Sequence, residues 1–254
     1  MYLITGATGT TGGLVRDLLL ERGDDVRGMT RNPTRPDHVH GDYDDPGSLA
    51  EALAGVEAAY LVPAAQTAVH DANFVAAARK AGVRRIVRLS AVGTGEEWEG
   101  EVIAPWHLAG EEAVRDSGLE WTVLRPSSFA TNLTREPVHN LTGDVPQAVI
   151  DPRDVAAVAV AALTSSAHHG QLYTLTGPAA LSVPEQVAIL GEARGRAVAV
   201  VDVDPAAFDP AWRSGVLWSR SGRNAVVTDD VARVLGRPAT SFAQWAREVG
   251  RFAG

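Results

Sequence analysis

Apolar positions in the first half of the chain fall into two alternating kinds of run. Short runs that contain apolar residues and end at turn residues predict strands at residues 2–4, 26–30, 58–62 and 84–89. Longer runs, with apolar residues three and four positions apart, predict helices after Gly12 and at residues 47–54 and 69–81. Strands that alternate with helices through short connections are typical of a parallel sheet covered on its faces. The pattern therefore predicts an α/β fold with a doubly wound, Rossmann-like parallel sheet.

The pattern changes in the last third of the chain. It predicts a strand at 171–175, a helix beginning near Ser182, a strand at 197–202, a short helix within 228–238 and a closing helix at 241–252. Ser182 and Glu185 have the spacing of a capping box. We interpret 1–254 as a single domain, with a dinucleotide-binding core at about 1–165. Residues from about 166 to 254 then form mainly a small, interleaved lobe on the substrate side.

Three glycines separate the first predicted strand from the first helix, spaced Gly6-x-x-Gly9-x-x-Gly12. In this position the first glycine allows a tight turn, the second lets the backbone approach a pyrophosphate, and the third lets the helix pack closely on the sheet. The helix N-terminus attracts the anion through its N–H groups and its dipole. The alternative is a strand-to-helix turn without a ligand. The predicted phosphate contacts are Gly6, Thr8, Gly9, Thr10, Thr11 and Gly12.

Composition narrows the classes of protein that the fold allows. A chain of 254 residues, 45% apolar and 21% charged, can bury a full core. Its net charge of -8, with 23 basic residues spread along it, argues against a nucleic-acid surface. It has no cysteine, and His38 and His40 lack a nearby third ligand, so we predict no metal. Because it begins with a strand and contains no membrane-length apolar run, we expect a cytoplasmic protein without membrane contact.

The ends of three predicted strands indicate the dinucleotide. An acidic residue after the second strand selects NAD, whereas an arginine accepts the 2′-phosphate of NADP. Arg31 stands there, so we predict NADP(H), the alternative being a solvated surface arginine. Asp42 is placed either to accept from the adenine amine or to serve as a turn or cap residue. Val62, Pro63 and Ala64 end the following strand and are predicted to leave space for the cofactor.

Several motifs resemble those of a known family. The string Thr5-Gly6-Ala7-Thr8-Gly9-Thr10-Thr11-Gly12 is similar to the turn of extended and atypical short-chain dehydrogenases/reductases. The pattern Leu124-Arg-Pro-x-x-Phe-x-x-Asn132 and the segment 151–158 resemble later motifs of their NmrA-like branch. That branch includes isoflavone reductases, NADPH-dependent quinone reductases and redox-sensing regulators. The likeness spans nearly the whole chain, and it implies that residues from Pro126 to Phe129 wall the nicotinamide.

The resemblance also implies where catalysis takes place. Short-chain dehydrogenases present a hydroxyl from the end of the strand where Ser90 lies, and carry a Tyr-x-x-x-Lys pair on the next helix. In this chain His107 stands at the Lys position and Ile103 at the Tyr position. We predict that His107 holds the ribose or donates a proton, since the unperturbed histidine pKa lies near neutrality. The alternatives are a structural histidine and a strand-end serine that caps or turns.

Aromatic residues supply the predicted substrate contacts. A stretch of the C-terminal lobe that is rich in aromatics is suited to covering an apolar substrate, although core packing of a small lobe is an equal interpretation. The candidate substrate residues are Trp106, Phe129, Phe208 and Trp212.

These features predict an NADPH-dependent reductase that transfers hydride to a small conjugated carbonyl, such as a quinone or an enone, without the family's tyrosine. Delocalisation of the negative charge in such an acceptor reduces the need for that tyrosine. The alternative is a non-catalytic NAD(P)-binding redox sensor. An isomerase or epimerase with a permanently bound cofactor is less favoured because the tyrosine is missing. The expected partner is an apolar or conjugated small molecule, and the expected assembly is a monomer or homodimer.

Overall fold

The computed structural model describes residues 1–208 and 210–248. Its strands are β1 (Tyr2–Thr5), β2 (Val26–Thr30), β3 (His38–His40), β4 (Ala58–Leu61), β5 (Arg85–Leu89), β6 (Glu97–Trp98), β7 (Glu101–Val102), β8 (Glu120–Pro126), β9 (Val138–Asn140), β10 (Gln171–Leu175) and β11 (Val200–Asp202). Its α-helices are α1 (Thr10–Glu21), α2 (Pro46–Leu53), α3 (Val69–Ala81), α4 (Pro105–Arg115), α5 (Pro152–Thr164), α6 (Val183–Arg194), α7 (Pro210–Arg220), α8 (Asp230–Leu235) and α9 (Phe242–Glu248).

The central sheet confirms the predicted fold class. Within the described residues it has seven strands, in the order β10-β8-β5-β4-β1-β2-β3. The pairs that join β1 to β2 and β4, β2 to β3, and β5 to β4 and β8 are parallel. Strand order therefore reverses at β1, as in doubly wound α/β sheets, where ligands bind beyond the carboxyl ends of the strands at the reversal.

Most predicted elements are present, and the errors lie in short or terminal ones. The capping box of α6 is confirmed, since the Ser182 and Glu185 side chains each bond the other residue's backbone N–H. The sequence predicts a helix that starts at Pro105 and ends at Gly118, whereas α4 ends at Arg115. Strands β6, β7 and β9 are too short to give a recognisable apolar period. The end of the predicted closing helix, residues 249–252, lies outside the described residues.

The chain forms two compact units, each assembled from separated segments. The first comprises Met1–Ala91, Pro105–Arg125 and Val155–Tyr173, and the second comprises Val92–Ala104, Pro126–Asp154 and the described chain from Thr174 onward. Each has its own apolar core. The core of the first unit includes Leu3, Leu53, Leu61, Phe74 and Ile86, all buried. The core of the second includes Leu133, Val149, Leu190, Phe242 and Trp245. The predicted division near residue 165 stays a prediction.

Strand β5 carries two buried arginines in the middle of the sheet. The Arg85 guanidinium donates to the Glu120 carboxylate and, at 2.7 Å, to the Leu163 carbonyl. The Arg88 side chain is 0% exposed and forms an ion pair with the equally buried Asp71 of α3, with Nε at 2.8 Å from Oδ1. Buried charges require such partners, because an unpaired charge in the interior costs several kcal/mol.

Helix α4 makes room for the second of these ion pairs with a glycine. A Cβ at Gly110 would lie 2.2 Å from Nη2 of Arg88 and 2.7 Å from Oδ2 of Asp71. A glycine inside a helix costs about 0.5–1 kcal/mol relative to alanine. The packing of the ion pair against α4 explains why Gly110 is nevertheless present.

We expect Gly110→Ala to lower the free energy of unfolding by about 1–3 kcal/mol, because the new methyl overlaps an ion pair that has no room to move. The matched control is Gly215→Ala in α7, where no described atom lies within 4 Å of the added methyl. That change should leave stability unaltered or raise it by up to about 1 kcal/mol. Urea unfolding of both variants measures the difference, and equal stabilisation of the two would contradict the packing described.

Candidate functional site

The turn that follows β1 is built by its glycines. Gly6 has φ +60°, a conformation that favours glycine, and its amide oxygen accepts from the Gly9 N–H at 2.8 Å. A Cβ at Gly12 would lie 2.2 Å from the Gly6 oxygen and 2.8 Å from the Thr5 oxygen. The third glycine therefore lets α1 approach β1 more closely than any side chain allows, as predicted. We call residues 6–12 the phosphate turn.

The start of α1 fits a pyrophosphate. In the described structure, no side chain caps its N-terminus at Gly9 and no acidic residue lies in its first turn. The N–H groups of that turn therefore meet no competing carboxylate, which is the condition for binding an anion there. Of the predicted contacts, Gly6, Thr8, Gly9 and Thr10 are exposed, whereas Thr11 and Gly12 are buried. The Thr11 hydroxyl accepts from the Tyr60 hydroxyl at 3.3 Å.

Hydrogen bonds hold the end of β4 beside the phosphate turn. The Thr5 hydroxyl donates to the Tyr60 carbonyl at 3.1 Å and accepts from the Val62 N–H at 2.8 Å. The Tyr43 hydroxyl donates to the Val62 carbonyl at 2.7 Å. A Cβ at Gly6 would lie 3.2 Å from Cβ of Val62, so these two predicted site residues are in contact. Pro63 and Ala64 follow, half-buried and exposed respectively.

The residues predicted to select NADP and to contact adenine lie at the ends of β2 and β3. The Arg31 side chain is exposed, and its backbone carbonyl accepts from Nδ1 of His40 at 3.0 Å. The Asp42 carboxylate accepts from the Asp44 N–H at 3.1 Å, which is a turn interaction. Asp45, and not Asp42, caps α2. This hydrogen bond supports the alternative that Asp42 is a turn residue. The contact of Asp42 with adenine stays a prediction.

Ser90 belongs to a buried ionic cluster. Its hydroxyl donates to Oε1 of Glu111 at 2.6 Å, and Glu111 is 0% exposed. The same carboxylate accepts two bonds from Arg125, at 2.8 and 2.7 Å, and one from Arg115 at 3.0 Å. This cluster fixes the orientation of Ser90 and supports the structural alternative for it. Its predicted contact with substrate is untested.

His107 lies one helical turn before Glu111, half-buried on α4. Its Nδ1 is 3.3 Å from Nη1 of Arg88, the guanidinium that pairs with Asp71. Burial, followed by the positive charges of Arg88 and Arg125 against the opposing Glu111, lowers the pKa of His107 to about 4. The pKa of His107 thus lies below the near-neutral value of an unperturbed histidine, and the imidazole is mainly neutral at physiological pH. The predicted role of His107 as ribose contact or proton donor stays a prediction.

The four candidate substrate residues fall in different units. Trp106 is half-buried, with its ring centroid 5.8 Å from that of His107 in the first unit. Phe129, after the buried Pro126, and Phe208 are half-buried in the second unit, where Trp212 is 56% exposed on α7. The deeply buried tryptophan of α7 is Trp218, which donates to Glu96 at 2.9 Å.

A profile of a family described as NAD(P)H-binding matches residues 6–166, which is more than half of the chain. The match begins at the phosphate turn and includes Arg31, Ser90 and His107. The chain belongs to this NAD(P)H-binding family.

Individual relatives support the same assignment. The (4-alkanoyl-5-oxo-2,5-dihydrofuran-3-yl)methyl phosphate reductase of Streptomyces griseus is 39% identical, covering 98% of this chain and 97% of the relative. An NmrA-like family domain-containing oxidoreductase of Aspergillus flavus is 25% identical over 93% of this chain and 90% of its own. The NADPH-dependent quinone oxidoreductase of Escherichia coli complexed with NADPH superposes with a TM-score of 0.82 at 25% identity, covering 97% and 98%. The NmrA-like resemblance is confirmed.

Sequence reasoning missed the buried partners in this NAD(P)H-binding protein. His107 is oriented by Arg88, which is paired with Asp71 and packs against Gly110. Ser90 is oriented by Glu111. A signal was present, because a charged residue in a central parallel strand such as Arg88 must be paired. The sequence did not identify the partner of Arg88, because Asp71 lies on a helix whose other charged residues face solvent and nothing local distinguishes it from them.

Two kinds of feature are absent from the described residues. None of the helices in residues 1–208 and 210–248 is long and apolar enough to cross a membrane. Across the same residues, no group of three or more His, Cys, Asp and Glu side chains is arranged to hold a metal ion.

We expect Gly12→Ala to abolish measurable NADPH binding, because its methyl would overlap backbone atoms of β1 and push α1 away from the phosphate turn. Gly13→Ala is the matched control: its methyl would lie 3.5 Å from the Ala7 oxygen, an ordinary contact. That variant should bind NADPH within about threefold of the parent, since alanine suits a helix. Titration by tryptophan fluorescence measures both affinities, and parent-like binding by Gly12→Ala would refute the close approach.

Proposed function

We propose that the protein is an NADPH-dependent reductase that transfers hydride to a small conjugated carbonyl, such as a quinone, an enone or a related unsaturated ketone or lactone. The observation that carries the proposal is a neutral, half-buried His107 on α4 at the family's Lys position. Ile103, at the Tyr position of the motif, lies four residues earlier, before α4 begins at Pro105. In our proposal the protein binds the cofactor as a reductase does, without the phenol that usually protonates a simple alkoxide.

No other tyrosine takes the place of the missing one. The chain has four, all within the described residues. Tyr43 and Tyr60 are buried, donate to Val62 and Thr11, and have pKa values raised by burial. Tyr173 bonds His168 at 2.8 Å, and Tyr2 begins β1, at the opposite end of the strand from the phosphate turn. A reaction that needs a phenolic acid at the reacting carbonyl is therefore disfavoured.

A conjugated acceptor suits this arrangement. When bound, NADPH supplies the hydride. After hydride arrives at the β-carbon of an enone, negative charge is shared between carbon and oxygen, so protonation need not occur in the same step. The Streptomyces relative is named for a substrate whose ring double bond is conjugated with carbonyl groups, and the Escherichia coli structure is named for quinone reduction. These names support the class and leave the individual substrate open.

We propose the following cofactor roles for the predicted residues, of which Pro126 and Phe129 belong to the second unit and the others to the first. In our proposal the exposed part of the phosphate turn, with the first-turn N–H groups of α1, holds the pyrophosphate. Arg31 holds the 2′-phosphate, and Asp42, Val62, Pro63 and Ala64 border the adenosine and nicotinamide ends. Pro126 and Phe129 wall the nicotinamide, and Ser90 and His107 lie nearest the reacting carbonyl.

The proposal also includes the predicted substrate side, location and assembly of the protein. Residues from about 166 to 254 contribute most of the substrate side, including Phe208 and Trp212. The protein acts in the cytoplasm as a monomer or homodimer, binding neither nucleic acid nor membrane.

The direct test is oxidation of NADPH by the purified protein against a panel of quinones, enones, unsaturated lactones and their saturated analogues. We expect turnover with conjugated members and none with the saturated ketones, since the latter need the missing acid. Loss of NADPH absorbance measures the rate. Tight NADPH binding with no turnover of any acceptor would instead favour the redox sensor, and reduction of saturated ketones would contradict the argument from His107.

We expect Arg31→Glu to weaken NADPH binding about 10- to 100-fold, because a charge-assisted hydrogen bond to a phosphate is lost. Binding of NADH should change by no more than about threefold, because it has no 2′-phosphate for the side chain to contact. Arg79→Glu, an equal charge change at an exposed position in the last turn of α3, is the control and should alter neither affinity. If Arg31→Glu weakened the binding of NADPH and NADH equally, Arg31 would lie elsewhere than beside the ribose phosphate. The same titration of Arg35→Glu tests whether Arg35 assists Arg31 in binding the 2′-phosphate.

A further inference from the structure

A buried chain of three charged or polar side chains runs from α3 through β5 to α4. Asp71 and Arg88 are 1% and 0% exposed, and they are joined by two bonds, at 2.8 and 3.3 Å. The third nitrogen of the guanidinium, Nη1, is shared between the Leu89 carbonyl at 3.1 Å and Nδ1 of His107 at 3.3 Å. All of these atoms belong to the first unit.

The chemistry of arginine fixes the proton on His107. A guanidinium has donors and no acceptor, and it stays protonated in proteins. The Nδ1 atom that faces it must therefore be the unprotonated nitrogen of the imidazole. A neutral imidazole carries one proton, so that proton lies on Nε2, the nitrogen on the far side of the ring from Arg88.

We propose that Arg88 is a positioning residue that locks His107 as a neutral Nε2–H donor, and that this donor binds the carbonyl oxygen of the conjugated acceptor during hydride transfer. The inference deepens the proposed function and rests on it. No proton leaves His107 in this step: its hydrogen bond stabilises the negative charge that develops on oxygen. The proton that completes the reduction comes from water, because a neutral imidazole that gave up its Nε2 proton would become an anion.

The charged groups around His107 are consistent with a permanently neutral ring. Arg88 faces it from β5, Arg125 from β8, and Glu111 from the next turn of α4. Glu111 is engaged by Arg115, Arg125 and Ser90, so its negative charge is compensated and little is left to attract a proton to the imidazole. Without the two arginines, a carboxylate four residues along the helix would favour imidazolium.

One face of helix α4 allows the contact between Arg88 and His107. His107, Gly110 and Glu111 are three and four residues apart and so share one face. Gly110 on that face clears the path of the Arg88 side chain, as a Cβ there would meet Nη2 at 2.2 Å. Because Asp71 occupies Nε and Nη2, the guanidinium cannot rotate away from His107. The donor is thus oriented before any ligand binds, which is the condition for effective stabilisation of an oxyanion.

The first test reads the tautomer directly, without cofactor or substrate. Protein labelled with ¹⁵N at histidine is examined by long-range proton–nitrogen NMR from about pH 5 to pH 8, and His107→Ala assigns the signal. We expect one neutral form, protonated at Nε2, across that range. A ring protonated at Nδ1, or an imidazolium near pH 6, would overturn the inference even in an active enzyme.

The second test replaces the positioning residue. Arg88→Lys keeps the positive charge for Asp71 but lacks the planar fork that also reaches Nδ1. We expect a mixture of both neutral tautomers and a kcat lowered about 10- to 100-fold, with KM and NADPH affinity within about threefold of the parent. Arg85→Lys is the matched control, a buried arginine of the same strand paired with Glu120, and it should keep both the Nε2–H tautomer and kcat. A folded Arg88→Lys protein with parent-like tautomer and kcat would refute the role of Arg88.

The third test remains decisive if Arg88→Lys does not fold. His107→Phe keeps a flat ring without a donor and should lower kcat about 100- to 1000-fold, as for loss of one oxyanion donor. His107→Gln keeps an N–H donor and should recover part of that loss, whereas equal kcat in the two variants would show that donation by His107 is irrelevant. A parent protein that has the Nε2–H tautomer but reduces no acceptor would overturn the proposed function, and with it the carbonyl as the partner of His107.

Discussion

The ion pair between Arg88 and Asp71 is the constraint on which the surroundings of His107 in the first unit depend. A fully buried guanidinium in a central strand is tolerated only while its carboxylate is in place. That requirement fixes the rotation of α3, which supplies Asp71, and forces a glycine into α4, which crosses the pair. The position of α4 then sets the position of His107. A single buried charge in β5 thereby determines the geometry of two helices and of the candidate donor.

The phosphate turn is the second constraint, and it is of a different kind. There the limit is backbone contact: α1 packs so closely on β1 that only glycine fits at position 12, and a left-handed conformation is required at Gly6. Hydrogen bonds from Thr5 and Tyr43 hold the end of β4 against the same turn. The phosphate turn is therefore organised by backbone and hydroxyl groups, and the surroundings of His107 by ionised side chains.

The sequence predicted what depends on local order and missed what depends on pairing across the fold. The alternation of strands and helices and the capping box of α6 are local features, and they were confirmed. The glycine spacing likewise predicted the turn at Gly6 and the close approach of α1 to β1 at Gly12, because both involve residues that are near in the chain. The lowered pKa of His107 was not predictable, since it results from burial and from arginines 19 and 18 residues away in the chain. The hydrogen bond from the Ser90 hydroxyl to Glu111 was likewise not predictable, because nothing local in the sequence identifies Glu111 as its partner.

The neutrality of His107 bears on why such a site would act on conjugated acceptors. A cationic imidazole stabilises an oxyanion more strongly and can also protonate it, but the fraction of histidine in this form falls as pH rises above its pKa. A neutral N–H donor offers less stabilisation and no proton, yet it is present at any pH above about 4. Saturated ketones need both the hydrogen bond and the proton, because their alkoxide product is strongly basic. Quinones and enones need only the hydrogen bond, since conjugation already spreads the charge. In the proposed site, the absence of the family's tyrosine and the neutral imidazole thus favour the same class of substrate.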